Sequence, residues 1–551
     1  MRGVRIWLAA LLLGLGPAPA LMAQDDSADA GQAATASQDA SATLAPLLAE
    51  LGGAGYREKQ ALVARMVALG APNTRLALRA FLDGALYQRA ADGKVFIAVE
   101  DGDDHYSLTD PLTGAAAGGA SGGLKRIRTN NALRKALRQA IAQFELSDPD
   151  AAVRLASARE LVDDLDEDTV ALLRQRAPVE KDAEVLAEIE TGLALADLGS
   201  ADAEGRMAAI EHLRGSMKTA VYNRLNLIAE GDPDTAVRKA AAAAVRGIDG
   251  WRKVYGWIET LFFGMSLGSV LVLAAIGLAI TFGVMGVINM AHGELMMIGA
   301  YTTYCMQLLM PEHIGLSMVL SIPAAFIVSG AFGVAIERGI VRFLYGRPLE
   351  TLLATFGLSL ILQQLVRSIF SPLNRSVSTP DFMSGTLQIN EALSLTYNRL
   401  YIIVFALIVF VLLQLILKRT TLGLKVRAVS QNRAMARAMG IRSEWVDAAT
   451  FGLGAGIAGV AGVALSQLTN VGPNLGQSYI IDSFMVVVFG GVGNLWGTLI
   501  SGLSLGVINK LLEPYSGAVL AKILVLVFLI LFIQRRPRGL FPHKGRAAEG
   551  H

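Results

Sequence analysis

The sequence contains one cysteine, Cys305, among its 551 residues. A single thiol excludes an intramolecular disulfide framework and a cysteine-based metal site. Cys305 lies within an apolar run, where a buried and unreactive thiol is expected. We therefore expect this chain to bind no metal and no cofactor of its own.

Acidic residues are scarce in the second half of the chain. Only 12 of the 47 Asp and Glu lie beyond residue 250, although more than half of the residues do. A change of composition this sharp predicts separate domains. Residues 43–250 show no nucleophile–base pattern, no zinc spacing and no phosphate loop, and the whole chain lacks a Walker glycine loop with Lys and Ser or Thr. The sequence therefore indicates a protein that is not an enzyme.

The first 23 residues have the parts of a secretory signal peptide. A basic start is followed by a short apolar core, Ile6 to Leu15, and by small residues up to Ala23. The core is too short to span a bilayer comfortably. Residues 24–42 are rich in Asp, Ala, Ser, Gln and Thr, which is typical of a disordered linker. We therefore predict that the following domain, residues 43–250, is exported to the periplasm.

Residues 43–250 have helical periodicity and contain similar segments that recur along the chain. Asp148 to Arg154 reads DPDAAVR and Asp232 to Arg238 reads DPDTAVR, and in each the Asp and Pro are placed to start a helix. Weaker relatives begin near Asp182 and Asp202. Repeated helix pairs of this length resemble HEAT-type α-solenoid repeats.

Residues 93–110 interrupt this helical pattern. They alternate apolar and polar side chains around an Asp-Gly pair, which predicts a small β-hairpin. The run from Thr113 to Gly123 is rich in Gly and Ala, and we expect a flexible loop there. Apart from this hairpin we predict an all-α protein.

Residues 251–543 contain repeated apolar runs long enough to cross a bilayer. They predict a polytopic α-helical membrane domain, followed by a cytoplasmic tail at 544–551. The predicted spans are 257–283, 288–309, 316–341, 351–370, 399–417, 445–468 and 518–534. A further segment, 480–511, is broken at its glycines and either re-enters on the same face or forms two spans.

Two independent arguments predict the same orientation. Export of residues 24–250 makes the first span run from outside to inside, which leaves the C-terminus inside. The loops then predicted to lie inside hold 15 basic residues, against seven at or near the outer face. This bias agrees with the positive-inside rule for the bacterial inner membrane.

The stretch from Gly277 to Tyr301 places polar groups within apolar sequence. It breaks near Gly286 and then presents Asn289, His292, Gly293 and Glu294. Ionisable groups at membrane depth usually face a cavity or pathway, and transporters use broken helices to bind solutes. A glycine-packed helix pair, with His292 and Glu294 at a membrane surface, is the alternative.

A second glycine-rich break mirrors the first. Gly490, Gly491 and Gly493 would suit a discontinuous element that meets the first one near the membrane midplane; close helix packing by small residues is the competing account. Gln363 and Gln364 lie mid-span, where they either line the path or bond between helices.

The predicted inner loop from Lys418 to Glu444 is basic. Ala434, Ala438 and Gly440 recur there at helical spacing within Arg-rich sequence. A short helix with a small-residue face could dock on a partner protein. A basic juxtamembrane helix attracted to anionic lipid fits the composition equally well.

Four motifs in chain order resemble the branched-chain amino acid ABC importer permeases. They are VINMAHGELMMIGAY (Val287 to Tyr301), TLLATFGLSLILQ (Thr351 to Gln363), the Thr420 to Gly440 loop and VFGGVGNLWGTLISG (Val488 to Gly502). Two features are most similar to the urea importer's B-type permease subunit. They are the sequence around Met290 and Glu294 to Met297, and the exported extension.

This resemblance implies an importer with several subunits. Expected partners are a second permease of the same fold, two cytoplasmic ATPase subunits that use ATP, and a periplasmic solute-binding protein. The coupling loop of the family corresponds to residues of the inner loop here, namely Thr420, Gly423, Arg427, Arg433, Ala434, Arg437, Ala438 and Gly440. The resemblance implies urea as the solute, with branched-chain amino acids or short amides as the alternative.

Urea is small and neutral, with one acceptor and two amino donors. A path for urea needs well-placed hydrogen-bonding groups and few charges, because unpaired polar groups are costly there. Asn289, His292 and Glu294 supply such groups. Two other classes are considered: a membrane receptor with an exported sensing domain, whose inner segments are too short for a kinase or cyclase, and a passive channel for small amides.

Overall fold

A computed structural model describes residues 44–71, 73–100 and 105–541. The predicted signal peptide 1–23, the linker 24–42 and the tail 544–551 lie outside the described residues. The chain divides into two units by its internal contacts. One extends to Arg214 and includes Arg224–Ala244, and the other contains Gly215–Asn223 and the residues from Val245 onward.

The first unit consists of helices and one antiparallel sheet. Its helices are α1 (44–51), α2 (Tyr56–Leu69), α3 (Thr74–Leu82), α4 (Asn131–Glu145), α5 (Ala151–Asp163), α6 (Glu167–Arg176), α7 (Ala183–Asp197) and α8 (Ala203–Leu213). Its strands are β1 (Leu86–Arg89), β2 (Val95–Glu100), β3 (His105–Thr109), β4 (Ala116–Ser121) and β5 (Leu124–Arg126). Helices α9 (Thr219–Gly231) and α10 (Thr235–Met285) contribute residues to both units.

The predicted hairpin is the β2–β3 pair, with Ile97 opposite Thr109 and Glu100 opposite Tyr106. It belongs to a five-stranded sheet of order β4-β3-β2-β1-β5, so the expectation of an otherwise all-α chain is wrong. The flexible loop expected at 113–123 is also wrong, because β4 lies there and pairs with β3. Glycine and alanine have low strand propensity, but backbone pairing with an existing edge does not require large side chains.

Four helices begin with one repeated arrangement. The N-cap carboxylate accepts a hydrogen bond from a backbone N–H two residues further on, at Asp150, Asp182, Asp202 and Asp234. The side chain two positions earlier accepts from the N-cap N–H, at Asp148, Glu180, Ser200 and Asp232. Each Asp thus satisfies a donor that the helix itself leaves free. The predicted helix starts are confirmed at these positions.

Ion pairs connect successive helix starts. Arg154 donates to Glu180 through Nε and Nη2 at 2.9 and 3.0 Å, and Arg206 pairs with Asp232 at 2.8 Å. Burial would raise the pKa of Glu180, but hydrogen bonds from Arg154 and Arg176 outweigh it and lower the pKa to about 2. The carboxylate is therefore ionised at neutral pH and holds α5 to the start of α7.

The second unit is almost entirely helical. Its helices are α11 (His292–Leu309), α12 (Ile314–Gly339), α13 (Pro348–Phe370), α14 (Tyr397–Arg419), α15 (Thr421–Gln431), α16 (Arg433–Ala438), α17 (Ser443–Ser466), α18 (Leu475–Gly490) and α19 (Leu495–Arg535). A short hairpin of β6 (Thr386–Asn390) and β7 (Leu393–Thr396) precedes α14. Cys305, predicted to be buried, is a free thiol and only partly buried.

Among the described residues, six helices are long and apolar enough to cross a membrane: α10, α12, α13, α14, α17 and α19. Their number and length indicate a multi-pass membrane protein. Six of the seven predicted spans fall on these helices, and the seventh, 288–309, falls on α11 (His292–Leu309), which is not one of the six. Segment 480–511 forms α18 and the first part of α19, and α19 itself breaks at Gly517, whose φ is 75°.

Glycines allow the central helices to pack closely. Helix α17 is largely buried and packs against α11 and α12. A Cβ atom on Gly454 would lie 2.7 Å from the carbonyl oxygen of Gly277, and one on Gly462 would overlap the carbonyl oxygen of Met296. Such backbone contact replaces the large side-chain core of a soluble bundle.

Candidate functional site

The first predicted break is present between α10 and α11. Helix α10 ends at Met285, Gly286 has a φ of 64°, and α11 begins at His292. Glycine adopts this left-handed conformation without the cost that a Cβ atom adds. Asn289 is fully buried in the break, and its Oδ1 accepts from the Ala291 N–H at 3.0 Å. Its Nδ2 has no hydrogen-bond partner among the described residues.

His292 is fully buried within the protein. Its Nε2 lies 2.9 Å from the carbonyl oxygen of Ala274. A carbonyl oxygen only accepts, so Nε2 carries the proton and Nδ1 of a neutral ring is an acceptor. That Nδ1 has no partner within the described part of the chain. The break therefore presents one unpaired donor, at Asn289, and one unpaired acceptor.

Glu294 and Gln363 form a buried polar pair. Gln363 Nε2 donates to Glu294 Oε1 at 2.7 Å and lies 3.3 Å from Ser359 Oγ. Glu294 is 1% exposed and Gln363 is 4% exposed. The pair ties the first turn of α11 to the middle of α13. Both alternatives considered for Gln363 stay compatible with this position, since it bonds between helices beside the break.

Gln364 has a different environment from Gln363. It is exposed, on a face of α13 turned away from Glu294. Successive residues of a helix point about 100° apart, so two adjacent glutamines cannot share one narrow interior stripe. The prediction that Gln364 lines the same path is therefore not supported by its position.

Gly293 acts through close contact and not through backbone conformation. It lies inside α11, and a Cβ atom there would be 2.5 Å from the carbonyl oxygen of Gly476 in α18. The positive φ of this break belongs to Gly286. Gly293 therefore does not supply the break itself. Its role is to bring α11 and α18 into backbone contact.

The second break meets the first. Helix α18 ends at Gly490 and α19 begins at Leu495, with φ values of 101° at Gly491 and 78° at Gly493. A Cβ atom on Gly283, near the end of α10, would lie 2.4 Å from the Cα of Gly493. The two glycine-rich breaks thus touch at Gly283 and Gly493, and the polar groups of the first break follow Gly283 by 6 to 11 residues in the chain.

The basic loop forms two short helices, α15 and α16. Thr420 caps α15 by accepting from the Gly423 N–H, and Asn432 caps α16 by accepting from the Met435 N–H. Ala436 is buried against a small apolar cluster of α15 and α17. The predicted docking residues Ala434, Arg437, Ala438 and Gly440 are exposed. Sequence reasoning missed the neighbouring exposed apolar side chains Met435, Met439 and Trp445.

Arg433 fastens α16 to the membrane helices. Its Nη2 pairs with Asp447 in the first turns of α17, and its guanidinium lies 3.9 Å from the ring centroid of Tyr345. Asp447 is 3% exposed. Arg437 donates from Nε to Ser443 Oγ at 2.7 Å. Sequence reasoning missed Asp447 and Tyr345, although an acidic residue inside an apolar run was an available signal.

Arg427 serves a local structural role. Its Nη1 donates to the backbone carbonyl of Leu417 at the end of α14. Gly423 also lies against Leu417, whose carbonyl oxygen a Cβ atom at Gly423 would overlap. These two predicted loop residues therefore fix the turn between α14 and α15.

Comparison with known proteins matches the second unit. Residues 260–533 fit the family described as branched-chain amino acid transport system / permease component. The high-affinity branched-chain amino acid transport system permease protein BraD of Pseudomonas aeruginosa is 32% identical over 298 residues, covering 52% of this chain and 96% of its own length. LivH of Escherichia coli K12, of the same description, is 30% identical over 294 residues, covering 52% and 95%.

A more distant relative is the probable branched-chain amino acid transport permease protein LivH of Methanocaldococcus jannaschii. It is 26% identical over 288 residues, which is 49% of this chain and 88% of its own length. No solved structure matches the chain. The names of these three relatives specify branched-chain amino acids, and urea appears in none of these names.

Proposed function

Because this chain belongs to the family of branched-chain amino acid transport permeases, we propose that it is the membrane-spanning permease subunit of an ATP-driven importer in the bacterial inner membrane. The relatives favour branched-chain amino acids as the solute, which was the alternative to urea in the sequence analysis. The observation that supports a solute path is the contact of two broken helical elements beside buried polar groups, since this arrangement is what transporters use to bind solutes.

The path would use the groups that the break leaves unpaired. Asn289 Nδ2 can donate and His292 Nδ1 can accept, while Glu294 keeps acceptor capacity beyond its bond from Gln363. These groups would replace part of the solute's hydration shell, which lowers the cost of moving it through an apolar bundle. Gly490, Gly491 and Gly493 would form the opposite wall through the contact with Gly283.

Urea is the second candidate, and one feature of the site favours it. Glu294 bonds the neutral Gln363, and among the described residues no cation pairs with Glu294 that could also bind a carboxylate, although Glu294 itself could accept from an ammonium group. An amino acid carries a carboxylate that needs a cation or several N–H donors, whereas urea needs only neutral donors and acceptors. The Asn289 and His292 groups meet that need.

The exposed surface of α15 and α16 is the proposed docking site for one of the two cytoplasmic ATPase subunits of the importer. Exposed Met435 and Met439 lie beside the small residues Ala434 and Ala438, which suits a partner surface better than lipid attraction alone. A second homologous permease and a periplasmic solute-binding protein would complete the importer. The first unit would lie in the periplasm as a HEAT-like domain, with its repeated capped helix starts as support.

Transport in a strain that lacks this gene tests the proposal. We expect uptake of labelled leucine or of labelled urea, but not both, to fall and to return when the full chain is restored. Co-purification of an ATPase pair separates the permease from a receptor or a passive channel. Unchanged uptake of both solutes, or purification without any ATPase subunit, would contradict the proposal.

A further inference from the structure

Polar side chains are exposed where the last turns of α13 meet the first turns of α18. Arg367 Nη2 donates to Asn474 Oδ1 at 2.7 Å and joins the two helices there. The neighbouring outward positions are apolar, as at Leu360, which is 49% exposed, and Ile481, which is 60% exposed. The polar cluster consists of Gln364, Arg367, Ser368, Asn474, Gln477 and Ser478. All of its members except the half-buried Arg367 are exposed.

The polar cluster lies at the depth of the hydrocarbon. Helix α18 has 16 residues, about 24 Å, whereas a spanning helix needs about 20 residues. Its C-terminal end adjoins the end of α10 through the contact of Gly283 with Gly493, so its first turn lies short of the opposite membrane surface. Gly476 in that first turn contacts Gly293, and the residue before Gly293 bonds Ala274, about three turns from the end of α10. Both measures place the first turn of α18, and with it the polar cluster, within the bilayer.

Side chains that are polar and exposed at this depth face a water-filled space or another protein, and not lipid. Irregular backbone beside the cluster gives the same indication. Residues 371–378 follow α13, and Arg375 pairs there with Val471, ahead of α18, through backbone hydrogen bonds of 2.7 and 2.8 Å. Non-helical backbone within the bilayer lines a cavity or is covered by protein. In the predicted orientation, this side of the membrane unit faces the periplasm.

Arg367 carries a positive charge that no carboxylate among the described residues neutralises. Its hydrogen-bond partner is the neutral amide of Asn474. Asn474 occupies the N-cap position of α18, but its side chain caps no helix N–H. The N–H groups of Gly476 and Gln477 have no acceptor within the described part of the chain. A guanidinium and free helix N–H groups are both donors that bind carboxylates.

We propose that the polar cluster binds the carboxylate of an amino acid on its way to the break, with Arg367 as the residue that selects it. This inference rests on the proposed permease function. Gln363, one turn or about 6 Å before Arg367 along α13, donates to Glu294 at 2.7 Å. Glu294 keeps acceptor capacity for the ammonium group of the same solute. Urea has no carboxylate, so Arg367 distinguishes the two candidate solutes.

Thiol labelling of the intact importer complex tests whether water reaches the cluster. Cys305 is the single cysteine of this chain, so Cys305→Ser provides a cysteine-free permease. Ser368→Cys and Ser478→Cys in this background are treated with charged methanethiosulfonates, which do not enter hydrocarbon. We expect both positions to react. Ile408→Cys, 53% exposed in the middle of α14, is the lipid-facing control and should not react.

The ratio of labelling rates with an anionic and a cationic methanethiosulfonate at Ser478→Cys measures the local charge. Arg367→Gln should lower this ratio roughly tenfold, because a unit charge a few ångströms away is lost. Asn474→Asp should lower it similarly, since a carboxylate then neutralises Arg367, whereas Arg367→Lys should preserve it. Millimolar leucine should slow the labelling while Arg367 is present but not in Arg367→Gln. Leucinol, which lacks the carboxylate, should not slow it in either.

Three results would overturn the proposal. Labelling of the cluster only after removal of the second permease assigns it to a protein interface. An unchanged ratio in both Arg367→Gln and Asn474→Asp excludes a role for the charge. Equal protection by leucine and leucinol excludes recognition of the carboxylate. These measurements require no transport, so their failure is distinct from unchanged solute uptake, which contradicts the proposed function itself.

Discussion

The contact of Arg433 with Asp447 leads to a quantitative prediction about how strongly α16 is attached to α17. Asp447 is 3% exposed, and the Arg433 side chain is 23% exposed. Removing one partner of a fully buried pair costs about 3–5 kcal/mol, because the other charge is left uncompensated. A solvent-exposed ion pair contributes about 0–1 kcal/mol to the free energy of unfolding. Since Arg433 is partly exposed, we expect Arg433→Met to destabilise the membrane unit by about 2–3 kcal/mol.

A double-mutant cycle measures this contact. In an Asp447→Asn background no carboxylate is left unpaired, so Arg433→Met should then cost less than about 1 kcal/mol, giving a coupling of about 2 kcal/mol. Unfolding of the purified chain by SDS in mixed micelles measures each corner of the cycle. Lys425→Met, on the exposed face of α15, is the control for loss of positive charge. Equal costs of Arg433→Met in both backgrounds would refute the anchoring role.

Three further predictions concern the path, the docking surface and the first unit. Glu294→Gln should keep more uptake than Glu294→Leu, which leaves one N–H of the Gln363 amide unpaired at a cost of about 1–3 kcal/mol; equal uptake by both variants and the parent would make this pair a packing contact only. Ala438→Leu should reduce ATPase association without unfolding, whereas Gly440→Leu also strains a residue with a φ of 84° and is not a clean test; unchanged association and uptake for Ala438→Leu would remove α16 from the interface. Glu180→Gln should speed amide hydrogen exchange in α5 and α7 at pH 6, and this difference from the parent should shrink toward pH 2. In the folded chain the pKa of Glu180 is lowered to about 2 from its ordinary value of 4.5. The ionised carboxylate therefore stabilises the fold above pH 4.5, and this stabilisation is lost as the pH falls through the folded pKa. A difference independent of pH would contradict the ion-pair account.

Local features of the fold could be predicted from the sequence. The Asp-Pro-Asp segments predicted helix starts because an N-cap carboxylate needs only the next three residues. The glycine-rich segments predicted chain breaks because Gly286, Gly491 and Gly493 supply the positive φ that other residues resist. The apolar runs predicted the membrane helices, since bilayer thickness fixes their length.

Contacts between distant segments could not be predicted in the same way. The bond from Gln363 to Glu294 joins residues 69 positions apart, and the two helices must pack before the amide can choose its partner. The same holds for His292, whose ring nitrogen meets the carbonyl oxygen of Ala274 in the preceding helix. Strand β4 was missed because its stabilisation comes from pairing with β3 and not from its own glycines and alanines.

The contact between the two breaks restricts how the proposed solute path can open. Gly283 and Gly493 approach through backbone atoms, and so do Gly293 and Gly476. Neither contact has a side chain that could change rotamer to make room. In the proposed path, room for a solute therefore requires whole helices to move, with α10 and α11 separating from α18 and α19. Arg433 connects α16 to α17, which packs against α11, so a displacement of α16 by a bound partner has a continuous route of packed helices to the break.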